Sequence, residues 1–233
     1  YNAADEILME LDMDDMEPFS SMLILESLGK DSYGRSLEEQ IGSSRYRQVK
    51  NQATALGIDM LLLDDKEAWY AAVLVSQIRL MQMGFDPAWG IETRYTSKAV
   101  MDGKTISGLE TMKEQLGVLD NMSIDTQAEF LLESLNEQSA AETEMRTIVA
   151  AWKTGDIATL EQTMFEGIGE LPELYQNLVV LRNKSWAHQL YELDQRNNGM
   201  TYLVIVGGMH LVGQDSVQNL LRRKGIGSRQ LSN

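Results

Sequence analysis

Cysteine is absent from all 233 residues. This excludes a thiol nucleophile, a disulfide framework and any cysteine-ligated zinc or iron–sulfur site. Histidine is scarce, with only His188 and His210, so a three-histidine metal site cannot be built, and no His-Glu-x-x-His pattern occurs. No apolar run approaches the roughly 20 residues a membrane span requires; the best, Thr201 to Gly208, is strand-sized. Positive charge is short as well. Lysine and arginine number 20 against 35 acids, for a formal charge of −15, and such a surface repels phosphate backbones, so nucleic acid is not an expected partner. The one dense basic run, Arg222-Arg223-Lys224, falls in the last turn of an expected helix, where cations complement the carbonyl end.

What remains is ordinary globular material, 43% hydrophobic and 24% charged, with length enough for one domain over residues 1–233. Glu6 to Asp12 alternates as a strand that ends in acid. Lys104 to Leu109 reads as a second strand closing on Glu110, and Thr201 to Val206 as a third, leading into Gly207-Gly208-Met209-His210. A short fourth candidate lies near Arg229 to Leu231. Helical stripes run through Trp69–Met83, Ile124–Asn136, Ala141–Trp152 and Leu174–Leu193. A last helix should start near Asp215 as N-cap and stop at Gly225, and Gly42-Ser43-Ser44 reads as an inter-helix turn. The expected class is α/β: a small central mixed sheet covered by helices, with a largely helical insertion over residues 117–198. No secretory signal opens the chain, and a strand so near Tyr1 suggests sequence upstream of it.

Three expected strands end in polar groups: Glu10 and Asp12, then Glu110, then His210. In open α/β sheets ligands bind beyond the carboxyl ends of strands, so parallel strands would gather these groups on one rim. His210 follows two glycines, which allow close backbone approach, and its imidazole suits a base or metal ligand; the plainer alternative is a histidine bonded to a loop carbonyl. His188 lies mid-helix and is ordinary. Arg182, one turn before Trp186, can aim a guanidinium into a cleft with Asn183 beside it, although a solvated arginine over a core tryptophan is the simpler reading. Gly103-Lys104-Thr105 lacks the earlier glycine of a phosphate loop, Lys98 standing there, and Asp12 to Glu17 lacks the glycine of a calcium loop. The 14 methionines, at helical spacing, read as adaptable core.

Val204 to Gly213, followed by a helix and Lys224-Gly225-Ile226-Gly227, resembles the C-terminal signature of the TraB/GumN family. Met9-Glu10-Leu11-Asp12, Gly84-Phe85-Asp86-Pro87 with Gly90, Gly108-Leu109-Glu110-Thr111 with Glu114-Gln115-Leu116, and Leu181-Arg182-Asn183 with Trp186 agree in order. The resemblance implies an erythromycin-esterase/Tiki-like fold and kinship with the Tiki metalloproteases, which act outside the cell. It also implies two Gly-x-x-His motifs with a glutamate between them. Gly207 to His210 matches the second, and Glu10 the acidic strand after the first. That first motif does not occur in the given sequence, so either the native chain carries an N-terminal strand region upstream, or this member is not a complete enzyme. The expectation that follows is a metal-dependent, peptidase-like hydrolase of the bacterial cell envelope, periplasmic or otherwise extracytoplasmic, acting on a peptide or protein. Glu10, Glu110 and His210 would be catalytic, His210 and Glu10 would bind Mn, Co or Zn, and Arg182, Asn183, Gly207 and Gly208 would hold substrate. The alternative is a non-catalytic envelope protein that binds a peptide or polysaccharide.

Overall fold

A computed structural model of the chain describes residues 1–136, 138–166, 168–196 and 198–231. Strand β1 (Glu6–Met9) is followed by α1 (Pro18–Leu28), α2 (Leu37–Ile41), α3 (Ser43–Ala55), α4 (Ala68–Gln82) and α5 (Ile91–Asp102). Strand β2 (Thr105–Gly108) leads into α6 (Met112–Asp120), α7 (Ile124–Ser134), α8 (Gln138–Thr154), α9 (Ile157–Glu166), α10 (Pro172–Tyr175) and α11 (Arg182–Gln195). Strand β3 (Tyr202–Ile205) and α12 (Val217–Arg223) complete the order.

The sheet has the order β2-β1-β3, and both pairings are parallel. It is therefore not the mixed sheet expected from sequence. The connections allow this: β1 and β2 are each followed by a long helical crossover, which can carry the chain back to the same starting edge as parallel pairing requires. The expected fourth strand near Arg229 to Leu231 does not form; these residues are exposed, and Gln230 Nε2 instead donates to Gly155 O at 2.8 Å. Both crossovers are helical, so residues 117–198 share that character with the β1–β2 connection.

Alternation along β1 divides the core. Ile7 and Met9, fully buried, pack with Ala99 of α5 and Ile106, while Leu8 on the other face packs with Leu109, Trp186, Ala187 and Val217 under α11 and α12. Burying each such side chain contributes about 1.5–3 kcal/mol, which fixes the strand's register. A separate helical core joins α2, α3, α4 and α7 through Leu37, Val49, Leu63, Val75 and Leu131.

Local signals set the helix ends. Ser36 and Glu39 form a reciprocal capping box at α2, and Thr111 and Glu114 form another at α6. Gly42, at φ 82°, turns the chain between α2 and α3, although Ser43 and Ser44 already belong to α3. Gly225 follows α12 at φ 92°, as a C′ glycine should. The N-cap of α12 is Ser216 rather than Asp215, whose carboxylate is drawn away to accept from Tyr175 Oη at 3.1 Å.

Candidate functional site at the carboxyl rim

The parallel register puts Met9 beside both Gly108 and Ile205, so the three strand exits lie on one edge. Glu10 leaves β1 directly. Glu110 sits between β2 and α6, fixed there because the Thr111 cap ends the extended segment and starts the helix. Its own amide donates to Glu10 O at 3.0 Å. His210 occupies a 3-10 turn, Gly208–Leu211, just after β3. Arg182 and Asn183 reach the rim from the start of α11, preceded by a π-helical segment, Gln176–Leu181.

Arg182 joins these groups. Its Nη2 lies 2.6 Å from Glu10 Oε2 and 2.5 Å from Glu110 Oε1, and its Nε is 3.1 Å from both oxygens of Glu110. Nη1 lies 3.2 Å from His210 Nε2 and donates to Leu178 O at 3.2 Å. The guanidinium carbon stands 4.6 Å from the centre of the Trp186 ring, beneath it. Burial opposes the charge, but the hydrogen bonds and charge of Glu110, then of Glu10, outweigh it and raise the arginine's pKa. The remaining carboxylate positions are also served: Gln115 Nε2 donates to Glu10 Oε2 and Glu110 Oε1 at 3.1 and 2.9 Å, and Gly207 N donates to Glu10 Oε1 at 2.7 Å.

The tautomer of His210 follows from its neighbours. Asn183 Nδ2 donates to Asp215 O at 2.8 Å, so the amide oxygen faces the ring, 2.6 Å from His210 Nδ1. Nδ1 must then carry the proton, and Nε2 offers its lone pair to Arg182 Nη1, which can only donate. Burial lowers the imidazole pKa to about 4; Arg182 adds to that effect and Glu10 opposes it. The ring is neutral at pH 7. Trp186 packs on it with ring centroids 4.4 Å apart.

The structure thus brings Glu10, Glu110, Arg182, Asn183 and His210 together, with Gly207 and Gly208 in the same turn. Arg182, at 8% exposure, is not the solvated arginine of the simpler sequence reading. Asn183 is fully buried with both ends of its amide engaged, so it holds His210 from behind rather than facing a ligand. Gly207 spends its amide on Glu10, and a Cβ there would stand 3.2 Å from Glu10 Oε1. His188 is exposed on α11, away from the rim. Sequence reasoning gave no role to Gln115, five residues after Glu110 and one turn into the capped helix. That offset points it back at the strand end, and this was the available signal.

A divalent metal does not fit this arrangement. The nitrogen lone pair it would need on His210 accepts from Arg182, and both carboxylates already surround that guanidinium. No group of three or more His, Asp or Glu side chains among the described residues forms a ligand set. Arg182 supplies the positive charge between the acids.

Beside Glu110 a cleft of about 490 Å³ opens, lined by Asp12, Asp15, Glu114, Met16, Met112 and their neighbours. Burial, then Asp14 and Asp15, push the Asp12 carboxyl up to about 6.

Residues 1–230 match the family model described as the TraB/PrgY/gumN family. The chain belongs to that family. No curated protein and no solved structure matches it. In this member of the TraB/PrgY/gumN family, the resemblance seen in the Glu10, Glu110, Arg182 and Gly207–His210 segments corresponds to one buried cluster. No described helix is long and apolar enough to cross a membrane.

Proposed function

We propose that this TraB/PrgY/gumN chain is a binding protein of the cell envelope, whose rim and adjoining cleft take a basic peptide without hydrolysing it. The observation that carries the reading is that Arg182 engages both carboxylates and His210 Nε2 at once, leaving no free base or metal ligand on the imidazole. The cleft beside Glu110 supports a peptide over a sugar polymer. Asp12, Asp15 and Glu114 favour cations, Met16 and Met112 adapt to varied side chains, and no aromatic face lines it among the described residues. Periplasmic or other extracytoplasmic placement and a Tiki-like fold rest on the sequence resemblance and form part of the same proposal.

A metal-dependent peptidase using Mn, Co or Zn is the second reading. It is favoured by one distance: His210 Nε2 and Glu10 Oε1 face each other at 3.9 Å, close to what two ligands with bonds of about 2.0–2.2 Å each would span. It requires Arg182 to give up Nε2.

Fluorescence anisotropy with a labelled tetralysine peptide, alongside chromatography of the same mixture with and without added manganese, tests the choice. Binding should weaken severalfold in Asp15→Asn and Glu114→Gln but not in Glu26→Gln, and the peptide should stay intact. Cleavage that metal enhances and His210→Ala abolishes would establish the peptidase instead.

A further inference from the structure

Helix α1 carries apolar residues on opposite faces. Leu28 packs inward with Trp69, Leu119 and Leu174, and Ile24 and Leu25 lie half-buried beside it. The outer face does not: Phe19, Met22 and Leu23 are 65%, 51% and 51% exposed. A helix that is apolar on both sides is ordinarily covered on both, so α1 lacks a cover on its outer one. Phe19, Met22, Leu23 and Glu26 stand at i, i+3, i+4 and i+7, the spacing by which a helix lays one face into a groove. Acids frame that face, with Asp14, Asp15 and Glu17 exposed just before the helix. Glu26 pairs with Lys30 at 2.8 Å on half-exposed atoms, a contact of small worth.

A groove of opposite character lies elsewhere on the same chain. Between the end of α4 and the outer stripe of α8 a cleft of about 570 Å³ is walled by Met83, Phe85, Met145 and Val149. Arg146 and Lys153 edge it, both exposed, and Glu142, 3.1 Å from Arg146, is the one acid lining it among the described residues. The lengths agree. The 11 residues of α1 and the stripe from Glu142 to Lys153 each run about 16 Å. Yet α1 cannot fill the groove of its own chain, because it abuts the start of α4, where a Cβ on Gly29 would strike Tyr70, and the groove begins at Gln82, about 18 Å further along that helix.

Charge selects the occupant. The chain has a formal charge of −15 and repels its own copies, so a contact between two of them needs a cationic edge to meet acids. Two α1 faces laid together would set acid against acid, and an anionic lipid surface would repel the same acids. We propose that α1 of one chain docks in the α4–α8 groove of a second copy, with Phe19, Met22 and Leu23 against Met145, Val149 and Phe85, and the flanking acids toward Arg146 and Lys153. Each chain carries both halves, so the contact is head-to-tail and copies add until the rotation closes a ring or continues as a filament. Nothing in it depends on the peptide reading of the rim.

Sedimentation velocity tests the contact. The wild-type chain should associate increasingly through the micromolar range. A helix variant, Phe19→Ser/Leu23→Ser, and a groove variant, Val149→Asp, should each stay monomeric where the wild type does not. Mixed in equal amounts, these two should form a one-to-one pair and stop, because the pair uses the one intact groove and the one intact helix. Arg146→Glu/Lys153→Glu, which alters exposed positions alone, should weaken association at least tenfold and carries the groove comparison if circular dichroism shows Val149→Asp unfolded. A wild-type chain that stays monomeric up to high micromolar concentration would overturn the proposal, as would a mixture without pairs. Association lost in the helix variant but unchanged in both groove variants would assign α1 to a different contact and overturn it equally.

Discussion

Arg182 Nη1 lies 3.2 Å from His210 Nε2 and donates its proton to the lone pair that a metal or a substrate proton would otherwise use. The imidazole is in this way a strut between Arg182 and Asn183. Because the same guanidinium also holds Glu10 and Glu110, one side chain from α11 ties all three strand exits together.

Truncating Arg182 should therefore be severe. Arg182→Met leaves two facing carboxylates without their cation, and breaking a buried pair of this kind costs about 3–5 kcal/mol. Arg182→Lys should recover only part, because a single ammonium cannot reproduce the planar fork that serves Glu10, Glu110 and His210 together. Urea unfolding of the three proteins measures the order; a fully stable Arg182→Lys protein would contradict the shared-fork account.

The same substitution should create metal affinity. In the wild-type chain 1 mM cobalt should not shift the melting temperature, while in Arg182→Met, with Nε2 and Glu10 released, it should raise it. Stabilisation grows with ligand excess, reaching about 2.7 kcal/mol at a hundredfold excess over Kd. Thermal melts with and without cobalt, repeated in an Arg182→Met/His210→Ala double variant that should lose the response, check this.

His210 should give the protein a pH-dependent stability. Its pKa falls from the usual 6.5 to about 4 on folding, so between those values the unfolded chain binds the extra proton. The contribution is fully present above about pH 6.5 and is lost as pH falls toward 4. Urea midpoints across that range should drop for the wild type and flatten in His210→Gln, while nitrogen-15 spectra should show the Nδ1–H tautomer at pH 7. A His210 titration near 6.5 in the folded protein would refute the burial argument.

Two glycines near the site should differ sharply. A Cβ on Gly108 would fall 2.8 Å from Asp12 N and 3.0 Å from Glu110 O, both main-chain atoms that cannot move without breaking the β1–β2 exit. On Gly208 it would meet only the Met164 methyl at 3.1 Å, the end of a flexible side chain. Gly108→Ala should cost about 1–3 kcal/mol, as overpacking does, and Gly208→Ala less than 1 kcal/mol. Thermal denaturation of both proteins provides the comparison.

The sequence by itself determined the three strands, since each is a short β-branched or alternating run whose faces must be buried, and it determined that Glu10, Glu110 and His210 follow them. The glycine after α12 was legible for the same reason: its chemistry is local. Strand direction was not, because it depends on where a long helical crossover returns the chain, and this made the sheet parallel rather than mixed. Arg182 stood out in the sequence as a group that could enter a cleft, but its partners were equally hidden. A uniform 3.6-residue period carries no sign of the π-helical turn at Gln176–Leu181, which slows the helix's rotation and changes the direction in which the following residues point. Only the tertiary structure could place that guanidinium between two acids and a histidine contributed by segments 72 and 172 residues away on one side and 28 on the other, because charge pairing at such separations is set by packing and leaves no periodic trace in the chain.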